Sequence, residues 1–184
     1  MKDLRPVILK IVAALAIAVA GIFIYAATVM PKSFRIVRSI VIAAPAADIF
    51  PYVNNMKKMN SWNPWMKLDP NVKVTYTGPE EGLGAASEWD GNSNVGAGRA
   101  TVTHSFPPYL VRLNMEWFKP MDGASTVDYS LKQVGDSTTM EWIMLGKNNF
   151  ISRVMCIFMD RDKIVGGEFE KGLAELKNAV EKRN

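Results

Sequence analysis

The chain holds one cysteine, Cys156, and one histidine, His104, among its 184 residues. With a single thiol no intramolecular disulfide forms, and the redox compartment stays open, because disulfide-free proteins occur on both sides of a membrane. One His and one Cys do not supply the tetrahedral N/S set of a zinc site, so no metal is expected. There is no nucleophile elbow, no phosphate-binding glycine loop and no redox motif, and no cofactor is expected either. The "GAG" at Gly96 to Gly98 sits inside a strand-like run and reads as a bulge or close approach of backbone. Net charge is +4, yet no Lys/Arg run appears and basic residues do not interleave with aromatics, which argues against nucleic acid as a partner. Cys156, in "RVMCIFM", reads as a small buried hydrophobe.

What the chain does have is apolar content, 48% of its residues, enough for a sizeable core. Part of it is concentrated at the N-terminus. From Val7 to Met30 the run "VILKIVAALAIAVAGIFIYAATVM" carries one charge, Lys10. At about 1.5 Å per residue it spans a hydrocarbon core of about 30 Å. Lys10 is near one end, where its ammonium reaches the interface. Pro6 suits a first helical turn and Pro31 ends the segment. The competing reading is a signal peptide cleaved after "AVA" at Ala18 to Ala20. The apolar run continues through "GIFIYAATVM", which favours an uncleaved anchor over residues 1–31, followed by a domain over 32–184. Lys2, Arg5 and Lys10 on one flank nearly balance Lys32, Arg35 and Arg38 on the other. The short N-terminal tail tips the expectation towards an extracytoplasmic domain on a single-pass membrane protein.

After Pro31 the hydrophobic period changes to two. "SFRIVRSIVI" places Phe34, Ile36, Ile40 and Ile42 on one face, interrupted by Arg38. "AAPAADIFPYVNNMKKM" has Ile49, Phe50, Val53 and Met56 at helical spacing, and "NSWNPW" breaks it. Pro51 is expected in the first turn, or at a kink. From Asn71 to Gly146, short alternating runs are separated by turn residues, each with one apolar and one polar face, the pattern of an antiparallel sheet covered on one side. Over 149–182 a single long amphipathic helix is expected, with Val154, Met155, Phe158, Val165, Phe169, Leu173, Leu176 and Val180 on one face. Gly166 and Gly167 mark a kink or close approach within it. The burial requirement is met by one curved antiparallel sheet of about seven strands wrapped around that helix, an α+β architecture.

The stretches "RSIVIAAPAADIFPYVNN", "WNPWMKLDPNVKVTYTGPEEGLGAASEWDG", "VGAGRATVT", "FKPMDGASTVDYSL" and "FMDRDKIVGGEFEKGLAELK" together resemble the START-like, helix-grip superfamily, also called SRPBCC. Within it they resemble the polyketide cyclase/dehydrase and lipid transport group, some of whose members also carry an N-terminal membrane segment. The resemblance covers about Phe34 to Lys182. It implies a sheet gripping the C-terminal helix, with a cavity between them that takes an apolar or amphipathic small molecule. It does not imply cyclisation of polyketides, because fold alone does not give function.

Placed on that fold, Trp65 is expected at the cavity mouth, with Trp62 packing behind it. Trp89, Met115, Trp117, Tyr129 and Trp142 are expected on the concave face, Met155 on the helix opposite, and His104 beside Val102 and Phe106. Core packing is the default for each aromatic. Asp162 falls within the apolar stripe of the expected helix: if the helix is regular it faces the sheet and needs a partner, Arg38 or His104, whereas a bend at Gly166 and Gly167 turns it to solvent. The first functional reading is a membrane-anchored protein that binds a lipid or other lipophilic molecule. The second is a cyclase- or hydrolase-type enzyme using His104 and a carboxylate. The third is a ligand-free interaction protein.

Overall fold

The computed structural model describes residues 5–182; Lys2, which entered the flanking-charge comparison, lies outside them. In chain order the elements are α1 (Arg5–Thr28), β1 (Ser33–Ile42), α2 (Ala46–Asn54), α3 (Met56–Trp62), β2 (Lys73–Thr77), β3 (Ala86–Asp90), β4 (Ala97–Phe106), β5 (Leu110–Lys119), β6 (Gly123–Val134), β7 (Ser137–Lys147), α4 (Phe150–Phe158) and α5 (Arg161–Glu181). They form two compact units. Among the described residues, one contains the stretch up to Ser33 together with Asn148–Arg161; the other contains Phe34–Lys147 and the stretch from Asp162.

The first unit is built on α1, which is long and apolar enough to cross a membrane. Its side chains are exposed almost throughout, Ala26 being the buried one. The α4 helix packs on α1. Asn149 starts α4 by accepting a hydrogen bond from the Ser152 N–H at 2.7 Å, which satisfies one of the free N–H groups of a first turn. The Arg153 guanidinium donates to the Ala27 carbonyl at 3.0 Å, and the Asn148 amide side chain donates to the Pro31 carbonyl at 2.9 Å. The rings of Phe23 and Phe150 meet edge to face at 5.7 Å.

The second unit is an open sheet in the order β1-β7-β6-β5-β4-β3-β2, antiparallel through every pairing from β2 to β7. Its inner face buries Ile36, Ile42, Val102, Leu113, Val127, Tyr129, Leu131, Met140 and Trp142. Against it lies α5, which buries Phe169, Leu173, Leu176 and Val180 at spacings of three and four, one helical stripe.

Several local breaks have residue-level causes. The first helical stretch divides at Asn55, whose backbone is extended and whose side chain accepts from the Lys57 and Lys58 N–H groups at 3.0 and 3.1 Å, capping α3. Asn63 does the same for a short 3₁₀ turn, Pro64–Lys67, accepting from the Trp65 N–H at 3.1 Å. Pro51 lies past the first turn of α2 and lacks the N–H of a helix interior; α2 ends three residues later.

The expected single helix over 149–182 is two helices. Met159, extended at φ −131° and ψ 127°, separates α4 from α5. Gly166 and Gly167 are not the break; both lie inside α5.

Candidate functional site

The inner face of the second unit carries a layer of aromatic rings. Trp142, from β7, stacks on Phe169 of α5 with centroids 4.1 Å apart and planes 7° from parallel. Trp62 meets Trp142 edge to face at 5.3 Å and Tyr129 at 5.8 Å. Trp65 reaches Trp142 at 6.0 Å and Phe169 at 5.9 Å. These offset and edge contacts suit the ring quadrupoles and exceed what area burial alone supplies. Gly172 makes the layer fit: a Cβ there would stand 2.9 Å from both the Pro64 ring and the Trp142 ring.

The two tryptophans of "NSWNPW" therefore have different jobs. Trp62 is sealed, and its Nε1 donates to the Tyr52 carbonyl at 3.0 Å. Trp65 is half-buried at the margin of the layer.

One polar atom in this layer is unsatisfied. Trp142 Nε1 is buried and has no hydrogen-bond acceptor among the described residues. A buried N–H without a partner costs about 1–3 kcal/mol, so it needs an explanation. Close by, burial drives the Tyr129 phenol well above its ordinary value, which keeps it neutral.

Trp89 and Trp117 form a second group further along the sheet, edge to face at 5.6 Å, with Met115 packed against them. Trp117 Nε1 donates to the Ser125 hydroxyl at 3.1 Å. Gly98 is required here: a Cβ would meet the Trp89 ring at 2.6 Å and the Glu116 carbonyl at 2.5 Å.

Three of the expected positions lie elsewhere. His104 is exposed, not beside Val102 on the inner face. Val102 pairs with Leu113, but His104 pairs with Arg112, so Thr103 is an extra residue in β4. Such a bulge moves every following side chain to the opposite face. His104 accordingly turns outward, its Nδ1 3.2 Å from the Thr103 hydroxyl, while Ser105 turns inward and donates to Asn54 at 2.8 Å. Met155 belongs to α4 in the first unit and is exposed, because the chain breaks at Met159 before the gripping helix begins.

Asp162 does pair with Arg38, Nη2 to Oδ2 at 2.9 Å, but its side chain is 59% exposed. The break at Met159 resets the helical phase and places Asp162 in the first turn of α5, beside the apolar stripe. Arg38 comes from the inner-facing set of β1 and also donates from Nε to Glu170 at 2.7 Å. Asp162, Gly166 and Glu170 follow one another at i, i+4 and i+8, and the guanidinium lies over Gly166, where a Cβ would fall 2.1 Å from Nη2. The guanidinium hydrogen bond holds the Asp162 carboxyl below the usual aspartate range. Glu170 was not anticipated, although its spacing from Asp162 was the available signal.

Among the described residues no three His, Cys, Asp or Glu side chains gather to hold a metal ion.

No curated protein matches the chain. Solved structures do match its fold. A protein from Nitrosospira multiformis is similar at 18% identity, with a TM-score of 0.58 over 82% of this chain and 100% of its own. One from Chromobacterium violaceum is similar at 13% identity, with a TM-score of 0.58 over 83% and 99%. The Aha1 dimer from Colwellia psychrerythraea is similar at 17% identity, with a TM-score of 0.57 over 80% and 96%. At these identities the likeness concerns fold alone. Over residues 33–181 the sequence matches the profile of a family described as polyketide cyclase / dehydrase and lipid transport, and the chain belongs to that family.

Proposed function

We propose that the protein is a membrane-anchored binding module that holds a lipophilic or amphipathic small molecule against the aromatic layer between sheet and α5. The supporting observation is the orphaned Trp142 Nε1 in otherwise apolar surroundings. A ligand carbonyl, ester or carboxyl oxygen arriving there satisfies the donor, while its apolar body meets rings. Trp65, half-buried at the margin, is the side chain that moves to admit it. The family description, which includes lipid transport, agrees with such a ligand. The anchor in this reading is α1.

The test is native mass spectrometry of the detergent-purified full chain for a co-purified lipid. It is followed by titration of long-chain fatty acids and lysophospholipids into protein carrying ¹⁵N-labelled indoles. The Trp142 indole resonance, assigned through Trp142→Phe, should move downfield as its N–H gains an acceptor. Absence of any co-purified lipid, with an unmoved indole across the series, refutes the reading.

An enzymatic role for His104 draws no support from its geometry. The ring faces outward, with a hydroxyl and the Phe106 ring as its neighbours.

A further inference from the structure

The first unit contains a feature that ligand binding does not use. The α4 helix exposes Phe150, Ile151, Met155 and Phe158, the last at 70%. At about 100° per residue these four, with Val154 among them, fill one sector of about 140° that contains no polar side chain. Ser152, Arg153, Cys156 and Ile157 occupy the remainder of the turn. So short a helix, this apolar on its open side, is unexpected on a surface facing water.

Its position relative to α1 identifies what covers it. With 24 residues, α1 is about 36 Å long at 1.5 Å per residue, against a hydrocarbon core of about 30 Å. Centred in a bilayer, it extends about 3 Å past each boundary, and Phe23, five residues before its C-terminal end, lies about 4–5 Å inside. Phe23 is the residue whose ring Phe150 touches. The ties from Asn148 and Arg153 to the Pro31 and Ala27 carbonyls hold the start of α4 at that same end of α1. Interfacial amphipathic helices bury their apolar side about 5–10 Å into the headgroup and acyl boundary. The depth that α1 imposes on α4 matches that range. Lys32 follows directly on this end, Arg153 reaches the Ala27 carbonyl and Arg161 donates to the Asn148 side chain, so three cations stand where headgroup phosphates lie.

We infer that α4 is a second membrane contact, lying in the plane of the bilayer surface with Ile151, Met155 and Phe158 among the acyl chains. The inference rests on α1 being a membrane anchor. Two contacts fix more than one does: a single spanning helix leaves rotation about its axis free, and a helix lying in the interface beside it removes that freedom.

The experiment places nitroxide labels in the full-length protein, in a Cys156→Ser background, reconstituted into nanodiscs of phosphatidylcholine and phosphatidylglycerol at three to one. Labels go in turn at Leu15→Cys, Met155→Cys and Phe158→Cys, all exposed positions whose replacement leaves packing undisturbed. Collision rates are read against oxygen, which concentrates in lipid, and against a water-soluble nickel chelate. The expected result is oxygen contact in excess of nickel contact at all three, deepest at residue 15 and shallow at 155 and 158. Lipid contact at 15 with free nickel contact at 155 and 158 overturns the inference and leaves the anchor standing. Nickel contact at 15 removes the anchor, and this inference with it. Labels at 155 and 158 shielded from both reagents and broadened by spin–spin coupling show the face covered by a second copy, which also overturns it.

Discussion

Trp62 and Trp65 are three residues apart and separate in energetics. Removing the sealed Trp62 ring deletes contacts with Trp142 and Tyr129 and removes the indole donor to the Tyr52 carbonyl. Trp62→Ala should cost about 3–5 kcal/mol in urea denaturation, the usual range for a buried large aromatic. Trp65→Ala should cost clearly less and fall mainly on ligand affinity; equal losses from both would contradict the division. Asp162 gives a prediction in pH. Its carboxyl is depressed in the folded state by the Arg38 hydrogen bond, so the pair contributes above the unfolded value of about 3.9 and is lost as pH falls through the lower folded value. Asp162→Asn should therefore lower stability slightly at pH 7, and the difference from the parent should shrink as pH falls below about 3.9. The effect stays small because the pair is exposed. His104 shows the limit of reading single residues from alternation. Its neighbours Val102 and Phe106 set an inward phase, and one inserted residue, Thr103, reverses it. Nothing in the composition of "TVTHSF" distinguishes a bulged strand from a regular one.

At the level of elements, α5 carries three glycines whose surroundings differ, and substitution should sort them by sign. Gly167 has open space where a Cβ would go, so Gly167→Ala should stabilise by up to about 1 kcal/mol through helix propensity. Gly172 is wedged between the Pro64 and Trp142 rings. Neither ring can yield, since Trp142 is already stacked on Phe169, and overpacking of about 1–3 kcal/mol should outweigh the propensity gain in Gly172→Ala. Thermal melts of the two variants, moving in opposite directions, would verify the packing; a shared direction would refute it. The strands were legible because each pairs an apolar with a polar face, and the apolar stripe of α5 from Val165 to Val180 was legible for the same reason. The break between α4 and α5 was not, because it contains neither proline nor glycine. "FMDRD" did hold one signal: Asp160, directly before α5, is a residue type favoured at helix starts. An unbroken apolar stripe on both sides of it concealed that signal.

For the molecule as a whole, the sheet ladder and the stripe of α5 lie within one unit. Protein lacking residues 1–31 should retain a cooperative urea transition monitored by tryptophan fluorescence; a gradual, non-cooperative loss would show that the domain depends on the N-terminal segment. The same truncation should still bind vesicles weakly through α4, and adding Phe158→Asp should abolish that binding in flotation assays. The family relationship was legible in distributed stretches of sequence, and alternation placed Tyr129 and Trp142 on the inner face, whereas the ring contacts of the aromatic layer were not legible. Its members come from α3, the 3₁₀ turn, β6, β7 and α5, and only the tertiary fold brings them together.

All five tryptophans belong to the gripping domain, and each has another indole within 5.3–6.0 Å: Trp62 and Trp65 beside Trp142, and Trp89 beside Trp117. Chromophores that close share their excited states. The domain therefore carries its own optical gauge, with coupled bands in near-ultraviolet circular dichroism whose amplitude depends on ring geometry. Neither α1 nor α4 contributes an indole to that signal. A change in it during lipid addition reports a rearrangement of the rings themselves, separable from any event in the bilayer.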